Sequence, residues 1–553
     1  MYSLEPFTGP LGRANARHLL ARATFGPTQK QINDIALLTV DEAIDLLFIE
    51  GEAPLPPVDV ATGADWVSPK PNEDNSNDSL LNEFYKTWHL ELMRTGGVNV
   101  RERIVWFLHA HLPVSLSKVP WSVPVYYQNK LYRHYAFGNF KTMFTKLVMD
   151  NAMLWYLDNT LNQASDPNEN FAREMLELYT IGKGPQIAPG DYTNYTEEDV
   201  RQAARVLTGY IVDFEFTNYD PDLLPDTVIA QGYVYTGNTE LALLHDAGTK
   251  VFSDKFQNTE ISPNEVVSGF ATVDATKDEL DQLMTMIFNQ EETARFLVRK
   301  IYRLFVYYKI SDDVEQDIII PLAQTFIEND YSISEVLKRL FKSQHFYDMD
   351  SSSTSDNHIG AIIKSPVDLL MGLVKFFQID FPTNLLNLYQ LYAYDKLMSF
   401  LQIMGISFYY PSDVAGFSAY FQEPNYPRNW ITSTNLAYRY YLVWPFLEGI
   451  KNDEGLVLAQ LNMVEWVNNP ENISDVADAT VLVRELTDGL LATSLPDERF
   501  NYFLNTIFLQ NFPLYYWTNE WANYVNTGDE TTVKQLLDNL IWSLMQSPEV
   551  QLF

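Results

Sequence analysis

Four helix-start signals, each ahead of a periodic apolar segment, constrain the fold of this chain more than any other sequence feature. In each, a Ser or Thr precedes an acidic residue by three positions, so its hydroxyl can accept the backbone N–H at the third helical position. The pairs are Thr39 with Glu42, Thr196 with Asp199, Ser332 with Glu335, and Ser365 with Asp368. Because such caps recur along the chain, the sequence predicts a mainly α fold, a large multi-helix body.

Three segments lack helical periodicity and interrupt this pattern. Residues 212–264 are predicted as an irregular, partly β insertion, with a strand in "TVIAQGYVYTG" at 227–237. Residues 51–79 are rich in Pro and Asn and are predicted as a long loop. The polar stretch 348–357 suggests a boundary between an N-terminal helical region, 1–347, and a C-terminal helical region, 348–553. One continuous body is the alternative.

The formal net charge is −34, and the carboxylates are spread along the chain. Nucleic acid is therefore not an expected partner, since phosphate binding needs clustered Lys and Arg. A divalent cation or a basic protein would be attracted instead. The chain has no cysteine, which excludes disulfides and thiolate chemistry.

The N-terminal residues show no basic stretch followed by an apolar run, as a secretion signal would. No segment approaches the ~18 uninterrupted apolar residues of a membrane span. The expected location is the cytoplasm, with export of the folded chain beside a signal-bearing partner as the alternative.

The helix predicted within "PNENFAREMLELYTIGKGPQ" is the first candidate site. At ~100° per residue, Asn170, Arg173, Glu174 and Glu177 fall within one polar stripe, and large apolar side chains occupy the rest of the circumference. A helix with so much apolar surface is mainly buried. The stripe must therefore face either a solvated cleft or an internal network in which its polar groups have hydrogen-bond and ion-pair partners. Asn170 and Arg173 are its candidate binding residues.

Two interpretations of this stripe remain open. In the first, Glu174 and Glu177 pair with Arg201 and Arg205 of the next predicted helix, and the ion pairs lock two helices together. In the second, the stripe lines a pocket, where Glu174 and Glu177 are catalytic as general acid and base or bind a divalent cation.

His109 and His111 in "WFLHAHLPVS" are candidate metal ligands. The flanking sequence predicts a helix, on which the two rings lie about 200° apart, so only a helix end between them would bring them together. Packing or hydrogen bonding is the alternative role.

The segment "LLHDAGTKVF" places His245, Asp246 and Lys250 in the irregular insertion. A His–Asp pair in a loop can orient a base, which makes both candidate catalytic residues, with Lys250 and Arg205 as candidate binding residues. The alternative is turn chemistry, since Asp246 and Gly248 favour turns. Nucleotide-binding and hydrolase motifs such as G-x-x-x-x-G-K-[ST] and G-x-S-x-G are missing from the sequence.

Several fragments, in order, resemble one bacterial family, catalogued as domain of unknown function eighteen hundred. They are "ARHLLARATFGPT" (16–28), residues 106–115, "GNF" (138–140), "AMLWYLDN" (152–159), "PNENFAREMLELYTIGKG" (167–184), "YTEEDVRQAARVLTGY" (195–210), "HDAGTK" (245–250), "KSPVDLLMG" (364–372) and residues 411–439. The resemblance covers nearly the whole chain, and its Asn-Glu-Asn-x-x-Arg-Glu block is specific.

The resemblance implies no established activity. It implies genetic neighbourhood with a second family that looks like sulfatases and alkaline phosphatases, and so a protein partner of that exported, metal-dependent type. We therefore expect a binding or assembly partner. One alternative is a hydrolase or lyase with a Glu/His cleft, with or without a divalent cation as cofactor. The other is a structural subunit of an envelope or extracellular assembly.

Overall fold

The computed structural model of the protein describes residues 2–67, 78–350, 357–393 and 395–553. Helices dominate it, as the caps predict. The α-helices are α1 Gly12–Ala23, α2 Gln29–Ala36, α3 Val40–Leu47, α4 Asp78–Thr95, α5 Arg101–His111, α6 Ser122–His134, α7 Phe140–Leu147, α8 Asn151–Tyr156, α9 Asn170–Glu174, α10 Glu197–Val206, α11 Val273–Phe288, α12 Glu291–Phe305, α13 Asp312–Val314, α14 Ile320–Glu328, α15 Ile333–Lys342, α16 Pro366–Phe376, α17 Leu385–Tyr392, α18 Leu397–Ile403, α19 Ser418–Phe421, α20 Ser433–Tyr441, α21 Trp444–Glu448, α22 Met463–Asn468, α23 Ala479–Leu490, α24 Asp497–Asn501, α25 Tyr515–Thr527 and α26 Thr531–Met545.

Three π-helical segments extend or connect these helices within the described residues: Met175–Tyr179, Glu315–Ile319 and Tyr502–Phe508. Short 3₁₀ helices lie at Asn159–Leu161, Asp254–Phe256, His345–Tyr347, Tyr426–Trp430 and Pro548–Gln551.

All four predicted caps are confirmed. The hydroxyls of Thr39, Thr196 and Ser365 each accept the backbone N–H three residues on, and the carboxylate at that position accepts the backbone N–H of the cap residue. Ser332 accepts the N–H of Glu335 in the same way. These caps satisfy donors that a helix start leaves without partners, which is why the helices begin where the sequence predicts.

The strands form two-stranded antiparallel ladders, most of them in or beside the predicted insertion. The ladders pair β1 Gln186–Ala188 with β2 Asp191–Tyr192, β3 Tyr210–Ile211 with β4 Tyr233–Val234, β5 Lys250–Val251 with β6 Glu260–Ile261, β7 Val266–Val267 with β8 Phe270–Ala271, and β9 Ile450–Lys451 with β10 Val457–Ala459. The mainly α fold with an irregular, partly β insertion is thus confirmed.

The strand predicted over 227–237 is much shorter than its sequence pattern suggests. Within it, Tyr233–Val234 forms the one ladder, with Tyr210–Ile211, and Ala230 forms a separate single bridge with Tyr219. Gly232 marks the end of the ladder, since a Cβ there would lie 2.4 Å from the Ile211 carbonyl oxygen. The loop predicted over 51–79 is free of helix as far as residue 67. Its residues 68–77 lie outside the described part, and α4 already begins at Asp78.

Buried apolar residues from Leu11 to Val550 form one contiguous cluster, to which both the N-terminal and the C-terminal regions contribute. The division at residue 348 stays a prediction. No helix among the described residues has both the length and the apolar content needed to cross a membrane.

A close approach of two glycines joins the N-terminal helices to α16. Gly26 has φ +109°, and a Cβ on it would lie 2.7 Å from the Cα of Gly372. Only glycine tolerates both that backbone conformation and that distance. The two fragments "ARHLLARATFGPT" and "KSPVDLLMG", far apart in sequence, are therefore in backbone contact.

Candidate functional site

The helix that carries the polar stripe changes its winding in the middle of the stripe. α9 continues without a break as a π-helix over Met175–Tyr179. The Thr180 hydroxyl donates to the Met175 carbonyl oxygen over 2.6 Å at the end of this wider turn. π-Segments inside α-helices are frequent at functional sites. The sequence pattern did not reveal this one.

Asn170 and Arg173 have structural partners. The Asn170 amide donates to the Leu157 carbonyl oxygen over 3.0 Å. Arg173 forms ion pairs with Glu169 at 2.9 Å and with Glu197 of α10 at 2.8 Å. The predicted binding roles of Asn170 and Arg173 stay predictions.

The two carboxylates of the stripe have different surroundings. Glu177 forms an ion pair with Lys183 at 2.7 Å and accepts the Tyr195 hydroxyl over 3.2 Å. Within the part of the chain that the structure describes, the Glu174 carboxylate has no hydrogen bond and no ion pair. Partial burial, followed by the charge of Glu177, raises the pKa of Glu174 to about 7. Glu177 is compensated, whereas Glu174 is poised to exchange a proton near neutral pH.

The expected pairing of this stripe with Arg201 and Arg205 is wrong. Arg201 pairs with Glu198 on its own helix at 2.7 Å, and Arg205 pairs with Asp246 at 2.7 Å. Each arginine thus has a carboxylate nearer than the stripe. The ion pair that does connect α9 to α10 has the opposite polarity, with Arg173 on α9 and the acid on α10.

His245 lies in a closed network with Glu279 of α11. The His245 Nε2 atom is 2.5 Å from one Glu279 oxygen, and the Lys250 Nζ atom is 2.6 Å from the other. The side chains of all three residues are 0% exposed. Glu279 was not predicted from the sequence, because it lies 34 residues from His245 on an ordinary amphipathic helix. Its partners compensate its charge, and solvent does not reach the three groups.

Asp246 lies at the edge of this network and is shared between two roles. Its carboxylate pairs with Arg205, and it also accepts the Gly248 N–H over 2.8 Å, which is the predicted turn chemistry. Burial opposes ionisation of Asp246, but the Arg205 and Gly248 hydrogen bonds outweigh it and lower the pKa.

No hydrogen bond or ion pair among the described residues joins Glu174 or Glu177 to His245 or Asp246. The four residues predicted as catalytic are not brought together by direct contact. Their catalytic role stays a prediction.

His109 and His111 both lie on α5 and point to different neighbours. The ring of His109 packs on Tyr409 with centroids 4.2 Å apart, whereas the ring of His111 stacks on Phe107 at 5.8 Å. The helix runs through His111, so no helix end turns the two rings together. Among the described residues no group of three or more His, Asp or Glu side chains could hold a metal ion. The structure offers no ligand set for the metal site suggested by the sequence.

His111 borders a cavity of about 800 Å³, counted with its open mouth, that we call the Lys300 cavity. It lies between α5, α12, the start of α16 and the segment 415–430. Its polar lining residues are Arg103, His111, Lys300, Arg303, Tyr308, Ser365, Asp368, Tyr420 and Tyr426, and its larger apolar ones are Phe107, Leu304, Phe421, Trp430 and Phe553. Leu178, at the end of the π-segment, is part of the same wall.

Lys300 is the cation of this cavity that lacks a partner. The described residues offer it no hydrogen bond and no ion pair, and its ammonium group lies 5.1 Å from the centre of the Phe296 ring. Burial, followed by the charge of Arg303, lowers the pKa of Lys300 to about 8, against the opposite effect of the exposed Glu423. A lysine in these surroundings gains from an anion placed beside it.

Two further groups define the chemistry near Lys300. Burial lowers the pKa of His111 to about 3, with a smaller contribution from Lys300, so the ring is neutral. Its Nε2–H donates to the Tyr179 carbonyl oxygen over 3.0 Å, which leaves Nδ1 unprotonated. Arg303 lies 5.1 Å from the centre of the Tyr426 ring and 3.8 Å from the nearest Glu423 oxygen, and its Nε–H is buried without a partner.

Lys300 and Arg303 were missed at the sequence level, although a signal existed. On α12, the positions three and four residues from Lys300 are Phe296, Leu297, Arg303 and Leu304, so no acidic neighbour can pair with it along the helix. By contrast, Arg295 on the same helix pairs with Glu291 four residues before it. A cation with only apolar and cationic helix neighbours indicates either an exposed face or a ligand site.

The fold and the cavity together define a mainly α-helical protein with a cation-lined internal cavity. The chain belongs to the family described as "Protein of unknown function (DUF1800)", whose model matches residues 18–552. The resemblance based on the sequence fragments is therefore confirmed. No curated protein and no solved structure matches the chain.

Proposed function

We propose that the protein binds a small organic anion with an apolar or aromatic body in the Lys300 cavity. The observation that carries this proposal is the ammonium group of Lys300, which has no hydrogen-bond or ion-pair partner among the described residues and lines an open cavity. Binding sites for small molecules are typically concave, mostly apolar, and supplied with a few polar groups that fix the ligand's orientation.

The charge balance of the wall supports an anionic ligand. Lys300 and Arg303 are adjacent on one face of α12, and the charge of Arg303 opposes protonation of Lys300. The facing carboxylate, Asp368, is already held by Arg103 in an ion pair. Glu423 is 70% exposed on its side chain and lies at the outer end of Arg303. A carboxylate or phosphate beside Lys300 would supply the missing negative charge.

The rest of the wall supports an apolar or aromatic body for that ligand. Trp430, Phe421 and Tyr308 line the same space as Lys300. Aromatic side chains bury large apolar areas and stack on flat ligands, so they favour a ring or a compact hydrocarbon over a free inorganic ion.

The test is a binding titration of the full chain with benzoate, phenyl phosphate and the uncharged analogue benzyl alcohol. We expect calorimetric binding of an anionic probe, weaker binding of benzyl alcohol, and at least a tenfold loss of anion affinity in Lys300→Met. Lys309→Met is the matched control, because Lys309 is exposed and lies outside the cavity lining. Equal affinity of the Lys300→Met and wild-type proteins for the anions would refute the proposal.

A hydrolase or lyase is the second candidate, and Glu174 favours it. Its carboxylate has no described partner, its pKa is about 7, and it precedes the π-segment whose Leu178 reaches the cavity wall. A turnover assay with nitrophenyl esters and nitrophenyl phosphates would test this. The expected rate has a pH midpoint near 7 that disappears in Glu174→Gln; an unchanged rate and profile in that variant would count against it.

Assembly with a sulfatase- or phosphatase-like protein is the third candidate, and its partner class comes from the family resemblance. Exposed apolar side chains near the start of α25 favour a protein contact: Phe512 is 50% exposed, Leu514 51% and Tyr515 67%. Co-purification with the product of a neighbouring gene, lost in Leu514→Asp, is the expected result. Export with that partner would be tested by cell fractionation, and a purely monomeric native mass would oppose a structural-subunit role.

A further inference from the structure

A second group of cations adjoins the Lys300 cavity, and no sequence pattern predicted it. We call Arg17, Arg22, Arg103, Lys364 and Arg439 the buried cationic cluster. Its four arginines are each at most 3% exposed. The charges of Arg22, Arg103 and Lys364 lie 4.8, 5.5 and 5.9 Å from the centre of the Phe553 ring, which places them around one aromatic side chain.

The cluster has far more positive than negative charge. Asp368 is the one carboxylate that forms an ion pair with a member of it within the described ranges, and that member is Arg103. Asp368 also accepts the Ser365 hydroxyl and backbone N–H as part of the α16 cap. Asp348, whose charge also reaches Arg22, is already paired with His358 at 2.6 Å.

Backbone carbonyl groups accept some of the hydrogen bonds that the buried cationic cluster can donate, but they carry no net negative charge to neutralise it. Arg17 donates to the Ala492 carbonyl oxygen over 2.9 Å, and Lys364 donates to the Val550 carbonyl oxygen over 2.9 Å. Arg439 donates to the Lys364 carbonyl oxygen over 2.7 Å. A carbonyl dipole stabilises a cation less than a carboxylate does, and buried charges in proteins are normally paired.

Some nitrogen atoms of the cluster have no partner. In Arg22, both Nε and Nη1 are buried without a hydrogen bond, and its remaining contact is a long 3.5 Å one to the His358 carbonyl oxygen. Arg439 Nη1 and Arg103 Nε are also buried without a hydrogen bond. Burial and the charges of Arg103 and Arg17 lower the pKa of Arg22 to about 9. Arg22, Arg103 and Arg439 do not line the cavity described next, so their charges act on it through space and not through hydrogen bonds.

An open pocket lies beside the cluster, about 520 Å³ when its opening to solvent is included, and we call it the Arg17 cavity. Arg17, Lys364 and Asp368 supply its polar groups, and it shares Asp368 and Phe553 with the Lys300 cavity. Its remaining wall is apolar and includes Phe25, Leu373 and Met545. Gly26 and Gly372, the glycines in backbone contact, also belong to this wall.

We propose that the Arg17 cavity binds a small oxyanion, a phosphate, sulfate or carboxylate group, which neutralises the buried cationic cluster. Guanidinium groups present several N–H donors in a plane and match the oxygen atoms of such anions. The Arg17 cavity differs from the Lys300 cavity in its lining cations, since Arg17 and Lys364 do not line the Lys300 cavity, although Arg103 of the cluster does. Variants of Lys300 and of Lys364 therefore distinguish failure of one proposal from failure of the other.

The first experiment asks whether the anion is present and stabilising. The full chain is purified without phosphate, sulfate or carboxylate buffers, denatured, and its released anions are measured by ion chromatography. Thermal melting is then followed against inorganic phosphate, sulfate and butyrate, with ionic strength held constant by sodium chloride. We expect either about one equivalent of released anion or a saturable rise in melting temperature of about 2 °C or more.

The probes distinguish the source of the oxyanion. A response to phosphate or sulfate identifies an inorganic ion, whereas a response to butyrate alone identifies an organic carboxylate whose tail occupies the apolar wall. Neither released anion nor any response to the three probes would overturn the proposal.

Two variants and two controls test the residues. In anion-free buffer, Lys364→Met and Arg22→Met are expected to melt at or above the wild-type temperature, because each removes repulsion among buried cations. Lys364→Met removes a cation that lines the cavity and is expected to lose the response to the anion, whereas Arg22→Met removes a charge that does not line it and is expected to weaken the response. Arg201→Met, which removes an exposed arginine, and Lys300→Met are expected to keep it. If Arg22→Met does not fold, Lys364→Met alone decides, and a full wild-type response in that variant overturns the proposal.

Discussion

Two regions of this molecule use the same kinds of residue and have opposite charge balance. Around Glu279, a lysine and a histidine share one carboxylate, and all three side chains are sealed from solvent. Around Lys300, the cation has no carboxylate partner in the described structure and faces a cavity of about 800 Å³. The charges of the first region are compensated within the fold, whereas we propose that a ligand compensates the charge of the second. In this protein, the types of residue present do not distinguish a structural network from a candidate site. The presence or absence of a counter-charge, beside a cavity, does.

Removal of the shared carboxylate should have the largest effect. Glu279→Ala leaves Lys250 buried without its counter-charge, and we expect the free energy of unfolding to fall by about 3–5 kcal/mol. Chemical denaturation measures this, with Asp281→Ala, an exposed position on the same helix, as the control. A loss below about 1 kcal/mol would mean that Glu279 does not compensate the charge of Lys250 as described. The difference in charge balance between the Glu279 network and the Lys300 cavity would then not hold.

The second-largest effect on stability is expected at the backbone contact between Gly26 and Gly372, beside the Arg17 cavity. Gly26→Ala introduces a Cβ 2.7 Å from the Gly372 Cα at φ +109°, and we expect a loss of about 2–3 kcal/mol. Gly372→Ala is the matched control, because a Cβ there has no atom within 4 Å and lies in a helix. That control should be neutral or slightly stabilising. Equal losses of unfolding free energy in the two variants would show that the backbones of Gly26 and Gly372 do not approach each other as closely as described.

The stripe carboxylates give a smaller, pH-dependent effect. The pKa of Glu174 is raised from 4.5 to about 7 in the folded protein, so ionising it costs stability as pH rises from about 4.5 to about 7, and the cost stays constant above that. Glu174→Gln should therefore gain about 1 kcal/mol at slightly alkaline pH, allowing for partial exposure, and nothing below about pH 4.5.

Glu177→Gln is the contrasting variant for this measurement. This variant loses the ion pair with Lys183, which stabilises a partly exposed site by about 0.5 kcal/mol. Its free energy of unfolding should therefore fall, whereas that of Glu174→Gln should rise. Denaturation curves at several pH values measure both variants. A Glu174→Gln effect independent of pH would contradict the raised pKa.

Removal of the Lys300 charge should also give only a small change in stability. Its pKa is lowered from 10.5 to about 8, so in the ligand-free protein stability is lost as pH falls from about 10.5 to about 8. Lys300→Met should recover up to about 1 kcal/mol at neutral pH, and Lys309→Met should recover none. A clear loss of stability in Lys300→Met would indicate a structural partner for this lysine and would remove the contrast with Glu279.

The helices were predictable because their signals are local. A hydroxyl at Thr39 or Ser365 acts on an N–H three residues away, so the sequence contains both partners of the interaction. The same holds for the turn around Asp246 and Gly248. The strand at 227–237 was overpredicted because strand length depends on a partner, and the partner Tyr210–Ile211 is short.

The candidate site was predicted only in part, because its partners are far apart in sequence. The stripe residues lie together as expected, yet the carboxylate without a partner could not be told from the paired one. That distinction depends on Lys183 and Tyr195, which the fold brings to Glu177 and not to Glu174. His245 was noticed, but Glu279, which decides its role, was not.

The mainly α fold, the capped helix starts and the family could be predicted from the amino-acid sequence, since each depends on short-range hydrogen bonds, apolar periodicity or ordered fragments. Which charges are compensated depends on the three-dimensional fold. Arg22 and Lys364 lie more than 300 residues apart in sequence, yet their charges lie 4.8 and 5.9 Å from the centre of the Phe553 ring. Charge interactions in a low-dielectric interior act over several ångströms in space, regardless of separation along the chain, so no local sequence pattern records them.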